Sequence, residues 1–179
     1  MIRILFLLIL VLAKPVWADK YEDWARDFIV IRERTEACFE SAKTRELAMN
    51  CVGVATTACI NPQSDWPHPE PRDCRNEANV WERLYRLEIM TQFQMANALD
   101  ARDLLYDSRH YADRLVTVIR AEQAWEAYRW AFCEREALPL ADLPYREREK
   151  VNDWCFERLT AERIFYLRSE ENWLHHYRP

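Results

Sequence analysis

The sequence predicts an all-α fold, an antiparallel bundle of about five helices stapled by three disulfides. Gly53 is the only glycine among 179 residues. Tight hairpin turns with positive backbone angles are therefore scarce, which argues against an all-β fold. Ala, Leu, Arg and Glu are abundant, and all four are strong helix formers. Apolar residues also recur at spacings of three and four. Trp125, Tyr128 and Phe132 are the clearest case, with Leu115, Val118 and Ala121 extending the stripe backwards by two turns. A helix carrying so much aromatic surface needs other helices to cover it.

Taken in order, residues 1–18 read as a signal peptide. Arg3 supplies a short positive start, Ile4 to Ala13 form the apolar run, and Val16-Trp17-Ala18 offers the small residues that a signal peptidase reads. The run falls short of the roughly 20 apolar residues that span a bilayer, so no integral membrane segment is expected after cleavage. Residues 19–179 then form a single domain in the periplasm or outside the cell. Loss of Arg3 and Lys14 with the leader takes the net charge from −5 to about −7. That sign disfavours nucleic acid and anionic lipid; it suits a basic partner, although solubility alone accounts for it.

A first helix is expected over Tyr21 to Ala42, with Trp24, Phe28, Ile31 and Cys38 inward. A second, capped by Thr44, runs to about Cys59. Ile60 to Arg72 carries prolines at 62, 67, 69 and 71 and reads as a stiff loop. Trp66 at its centre either folds back to pin the loop, the commoner arrangement for an aromatic ring, or is presented as a partner contact. The third helix starts near Asp73, which can cap it. It carries Glu77, Trp81, Leu84 and Leu87 or Glu88 inward and continues to about Ala98, with a turn near Asp107-Ser108. The aromatic helix is the fourth and ends around Ala137. A loop with prolines at 139 and 144 leads to the fifth, Arg146 to Trp173, with Val151, Trp154, Cys155, Leu159, Glu162, Phe165 and Tyr166 toward one side.

Six cysteines allow 15 pairings, and the turn positions favour one nested local set. Cys38 and Cys51 flank the first turn, Cys59 and Cys74 bracket the proline loop, and Cys133 and Cys155 stand eleven residues either side of position 144. The expected bridges are Cys38–Cys51, Cys59–Cys74 and Cys133–Cys155, consistent with an oxidising compartment.

Few residues point to chemistry. A single glycine excludes phosphate-binding and dinucleotide loops and the Gly-x-Ser-x-Gly elbow. There is no Cys-x-x-Cys pair, and His68, His110, His175 and His176 lack ligand spacing, so neither a metal nor a cofactor is expected. Ser41, Ser64, Ser108 and Ser169 have no catalytic setting. Glu77, Glu122, Glu126, Glu157 and Glu162 are expected to be solvated or ion-paired on helices this rich in arginine. No catalytic residue is assigned. Arg129 and Arg163, beside the aromatic stripes, read as polar clamps between helices or, less simply, as ligand-facing groups. Glu77, Glu122 and Glu162 are their candidate partners.

The run Gln123, Trp125, Tyr128, Arg129 and Cys133, followed by Cys155, Thr160, Arg163 and Leu167, resembles the LprI-type lysozyme-inhibitor family of bacterial envelope proteins. Cys51-Val52-Gly53, Cys59, Cys74, Glu77 and Trp81 fit a longer branch of it. The resemblance covers about residues 51–167 and implies a small exported helical domain that inhibits a lysozyme by protein contact, with the signature positions chiefly structural. The chain departs from the family in lacking glycine between its last two cysteines, where Leu138 to Pro144 stands, and in lacking a lipid-anchor cysteine. The alternative expectation is an envelope interaction protein whose partner is unrelated to lysozyme.

Overall fold

A computed structural model describes residues 16–60, 76–106, 113–169, 172 and 174. Within them the protein is all-α, with no strand. Its helices are α1 (Val16–Ser41), α2 (Arg45–Met49), α3 (Val54–Ile60), α4 (Glu77–Tyr106), α5 (Arg114–Ala137) and α6 (Tyr145–Arg168), with a short 3-10 turn at Leu138–Leu140. α4, α5 and α6 pack against one another, α1 lies on α3 and α4, and α2 rests on α6.

The expected second helix is two helices. Thr44 does cap the first, its hydroxyl accepting from the Leu47 amide at 3.3 Å. Helical backbone then stops before Gly53, whose φ of +80° places it in the left-handed region. A side chain is strained there. The break is held from across the fold: Glu77, at the start of α4, accepts from the Gly53 amide at 2.8 Å and from the Thr56 amide at 2.9 Å. Its carboxylate thus satisfies amides that the first turn of α3 leaves without helical partners.

α5 starts by the same device. Asp113 accepts from Val116 N at 3.1 Å as a local cap. Asp100 of α4, buried, accepts from the amides of Arg114 at 3.1 Å and Leu115 at 2.9 Å. α4 itself runs to Tyr106, beyond the expected Ala98. α6 ends at Arg168 rather than Trp173 because its last carbonyls are taken by side chains. The Leu167 carbonyl accepts from Gln92 Nε2 at 3.1 Å and from Asn172 Nδ2 at 3.0 Å. Leu174 is then buried beside Ala96, Leu99 and Val118.

The main core joins Ile31 and Phe39 of α1 to Trp81, Leu84 and Tyr85 of α4 and Ile164 of α6. Trp81 is fully buried and meets Phe39 edge-on, with ring centroids 5.3 Å apart. Two bridges join neighbouring segments. Cys38–Cys51 ties α1 to the turn after α2, and Cys133–Cys155 ties α5 to α6, each with Cα atoms 5.7 Å apart. Cys74 lies outside the described residues, and with it the expected Cys59–Cys74 bridge. So do Trp66, the four histidines, the Asp73 cap, the turn at Asp107-Ser108 and most of the expected leader.

Candidate functional site

The inward line of α5 differs from the expected aromatic stripe. Val118, Glu122, Arg129 and Cys133 are buried, whereas Tyr128 is half-exposed and Ala121 faces solvent. The helix is turned so that two charged side chains enter the core and Trp125 lies between them. On α6, Trp154 is also half-exposed, and the buried positions are Cys155, Glu157, Leu159, Thr160, Ala161, Ile164 and Leu167. Of the pair Leu87 and Glu88 on α4, Glu88 is the inward one: it accepts from Gln92 Nε2 at 3.1 Å and from Arg168 Nε at 3.0 Å.

Burying a charge is stable only with partners. Glu122 receives Arg163 through both its Nε, at 3.2 Å, and its Nη2, and receives the Tyr85 hydroxyl at 3.0 Å. Burial, followed by the Glu122 carboxylate beside it, pushes the Tyr85 phenol well above its ordinary range, so it stays a donor. Arg129 Nη1 donates to Glu82 of α4 at 3.1 Å and to the Thr160 hydroxyl of α6 at 2.8 Å. The Thr160 hydroxyl in turn donates a hydrogen bond to the Phe156 carbonyl at 2.6 Å. The Arg129 guanidinium also lies 4.8 Å from the Trp125 ring and 5.4 Å from the Phe156 ring.

Of the three partners expected for these arginines, only Glu122 serves. Glu162 pairs with Arg45 at 3.1 Å, and Glu77 is the cap of α3 that also accepts from Trp81 Nε1 at 3.2 Å. Glu82 and Tyr85 were not anticipated. Tyr85 follows Trp81 by four residues, a spacing that could have marked it as inward. Among the signature positions, the structure brings Trp125, Arg129, Thr160 and Arg163 into one cluster. Glu77 and Trp81 sit one layer away, while Gln123 faces solvent.

Beside the Arg129 clamp, α4, α5 and α6 leave a groove of about 530 Å³. Glu82 and Arg86 line it from α4, Glu126 and Trp130 from α5, and Asp153 and Glu157 from α6. A second hollow of about 470 Å³ adjoins it through the shared Asn152 and Asp153 and runs to Leu138 and Tyr145. Together the two are lined by six acidic residues against three arginines. Their apolar lining is unusually open: Trp130 is 56% exposed, Leu138 68% and Tyr145 69%.

Glu157 departs from the expectation that the carboxylates are solvated or ion-paired. It is buried, at 8% exposure, and faces the groove. Burial, then the charges of Glu77 and Asp153, raises its carboxyl from 4.5 to about 8. Asn152 Oδ1, in the same wall, is buried without a hydrogen-bond donor. Arg129 Nε, also in the lining, is likewise buried without an acceptor. Among the described residues no group of three metal-ligating side chains exists, and no helix is long and apolar enough to cross a membrane.

Comparison with protein-family models, with curated proteins and with solved structures returns no match for this chain.

Proposed function

We propose that the protein is an exported binding protein of the bacterial envelope that inhibits a lysozyme-like muramidase by direct contact. The observation that carries the binding reading is the groove between α4, α5 and α6 with the second hollow beside it, acidic in their walls and edged by exposed Trp130, Leu138 and Tyr145. Exposed aromatic and aliphatic side chains grouped beside unbalanced charge are what protein interfaces use. The acidic sign selects a basic partner and speeds its approach. The resemblance of the Trp125, Tyr128, Arg129 and Thr160 signature to the LprI-type family directs the choice of partner to a basic lysozyme.

Binding rather than catalysis, and action in the periplasm or outside the cell, belong to the same proposal. The two disulfides support an oxidising compartment. The test is muramidase activity titrated with the purified, oxidised protein, against a basic animal-type lysozyme and an endogenous bacterial muramidase. Dose-dependent inhibition that weakens with salt, with Trp130→Ala and on reduction is expected. Salt-sensitive complex formation without inhibition would select the alternative, an envelope interaction protein whose basic partner is not a lysozyme. Absence of both would overturn the binding reading.

A further inference from the structure

We infer that the outer face of α4 is a self-association surface, on which a second copy of this chain packs its own α4 antiparallel about a two-fold axis at Gln94. The inference does not depend on the binding reading above. Between residues 87 and 101 no exposed position of α4 is charged, in a chain of which 31% is Asp, Glu, Lys or Arg. The two acids in that span turn inward, Glu88 to Arg168 and Asp100 to Arg114. The exposed side of α5, by contrast, carries Arg120, Glu126, Glu134, Arg135 and Glu136. Depletion of charge marks the centre of an interface rather than a solvated helix face. The apolar side chains on α4 are also open to water: Leu87 is 56% exposed, Met90 54% and Leu105 84%.

The face is complementary to itself. At about 100° per residue, Leu87, Met90, Gln94, Ala98, Ala101 and Leu105 fall on one stripe about 27 Å long. Gln94 is the midpoint of the uncharged span. Turned end for end about Gln94, the stripe sets its large half against its small half. Leu87 of one copy falls between Ala98, Ala101 and Leu105 of the other, and Met90 falls between Asn97 and Ala101. The two Gln94 amides meet on the axis, where each can donate to the other's oxygen. A parallel alignment would instead stack Leu87 on Leu87, Ala101 on Ala101 and Arg83 on Arg83, with the helix dipoles side by side in the same sense. Arg86 and Arg102 flank the stripe, and each is already paired in its own chain, with Glu82 at 3.2 Å and Asp103 at 3.5 Å. Arg83 lies over Leu105 of the second copy, its stem covering the leucine and its head in water.

Other occupants fit this face less well. A basic enzyme gains no steering from an uncharged stripe. A lipid surface would bury the Gln94 and Asn97 amides without partners at the centre of the stripe, and the net charge of −5 opposes anionic headgroups. A second copy supplies both the apolar cover and the amide partners. Met90 also edges a hollow between α4 and α5 lined by Ile89, Phe93 and Ile119, so its flexible side chain has room to adjust to the second copy. Contact along about 27 Å of helix buries on the order of 1,000 Å² in total, the lower end for a specific interface. The dissociation constant is therefore expected on the order of tens of micromolar.

The experiment is sedimentation equilibrium of the full mature, oxidised chain from about 5 µM to about 500 µM. A reversible monomer–dimer equilibrium is expected within that range. Gln94→Glu and Gln94→Lys each place like charges against each other on the axis and should weaken the dimer at least tenfold. An equimolar mixture of the two should recover association, because opposite charges then meet, and added salt should weaken that recovery. Leu87→Lys should also weaken the wild-type dimer. All three positions are exposed in the monomer, so the urea midpoints of the variants should stay within experimental error of the wild type. A wild-type chain that is monomeric at about 500 µM would overturn the inference. So would a dimer indifferent to both Gln94 charges, or a mixture that associates no better than either variant alone. Because no muramidase is present, these outcomes are independent of whether the protein inhibits one.

Discussion

Replacing Glu77 with glutamine tests how much of the fold depends on one buried carboxylate. Glu77 is fully buried, and its two oxygens receive three donors: the Gly53 amide at 2.8 Å, the Thr56 amide at 2.9 Å and the Trp81 indole at 3.2 Å. Glutamine keeps the shape but has one oxygen, and its NH₂ group must face a backbone N–H. One or two charge-assisted hydrogen bonds are lost, each worth about 1.5–3 kcal/mol, and one buried donor is left unsatisfied. The gain from relieving a buried charge offsets part of this. The expected net loss is about 2–4 kcal/mol, measured by urea unfolding of the oxidised protein. The damage should be local first: exchange of the Thr56 amide should accelerate more than that of amides in the middle of α5. Glu77→Gln also removes one of the charges that hold the Glu157 proton, so the Glu157 carboxyl should titrate lower. A loss below about 1 kcal/mol with no change in Thr56 exchange would refute the view that a distant carboxylate sets the start of α3.

Glu157→Gln should flatten the pH dependence of stability. The Glu157 carboxyl is raised from 4.5 to about 8, so the folded state binds its proton more tightly. Its contribution is complete below pH 4.5 and falls as pH rises through about 8. Tenfold steps of about 1.4 kcal/mol bound the effect at about 5 kcal/mol, and solvent screening at the open groove lowers it. Thermal melts from pH 5 to pH 9 should show a steeper decline for the wild type than for the variant, and parallel curves would contradict this. Gly53→Ala should destabilise by about 1–2 kcal/mol through its φ of +80° alone, since no atom lies within 4 Å of where the new Cβ would stand. A neutral result in a urea titration would mean that the turn relaxes. Asp100→Ala should cost about 2–4 kcal/mol, because it leaves the first amides of α5 without their acceptor and removes one of the two carboxylates, with Asp103, that pair with the part-buried Arg114. Chemical denaturation beside Asp113→Ala, expected at about 1 kcal/mol, would rank the distant cap against the local one.

Helix positions and two cystine rungs were legible because they follow from local periodicity and turn spacing. Trp81, Leu84, Cys155 and Leu159 fall on the faces that their spacing implies. The rotation of α5 was not legible. Periodicity assigns aromatic residues to the core side, so Tyr128 reads as inward, while Glu122 reads only as one of several carboxylates that could be solvated or could pair with an arginine clamp. The structure exposes Tyr128 and buries Glu122, which finds Tyr85 and Arg163 on two other helices. The break at Gly53 and the end of α6 were missed for a related reason. Each is fixed by a side chain far away in sequence, Glu77 and Gln92, whose target cannot be known before the helices are docked. The candidate groove was invisible for the same reason: Trp130, Asp153 and Glu157 look like ordinary exposed helix positions until three helices place them around one hollow.

α4 holds a start signal for two other helices, Glu77 near its beginning and Asp100 toward its end. α3 precedes it in the chain and α5 follows it. Neither of those helices has its first turn satisfied by its own residues alone, so each gains a defined beginning only once α4 lies alongside. This arrangement makes the folding reaction hard to subdivide. A fragment ending before residue 77 would have no fixed start for α3, and one beginning after residue 100 would have a frayed α5. Partly assembled chains in an oxidising compartment would therefore offer their cysteines loosely, and the native pairings would be favoured only after the central helix has docked. Disulfide fidelity in this protein would then depend on two carboxylates that never touch a sulfur atom.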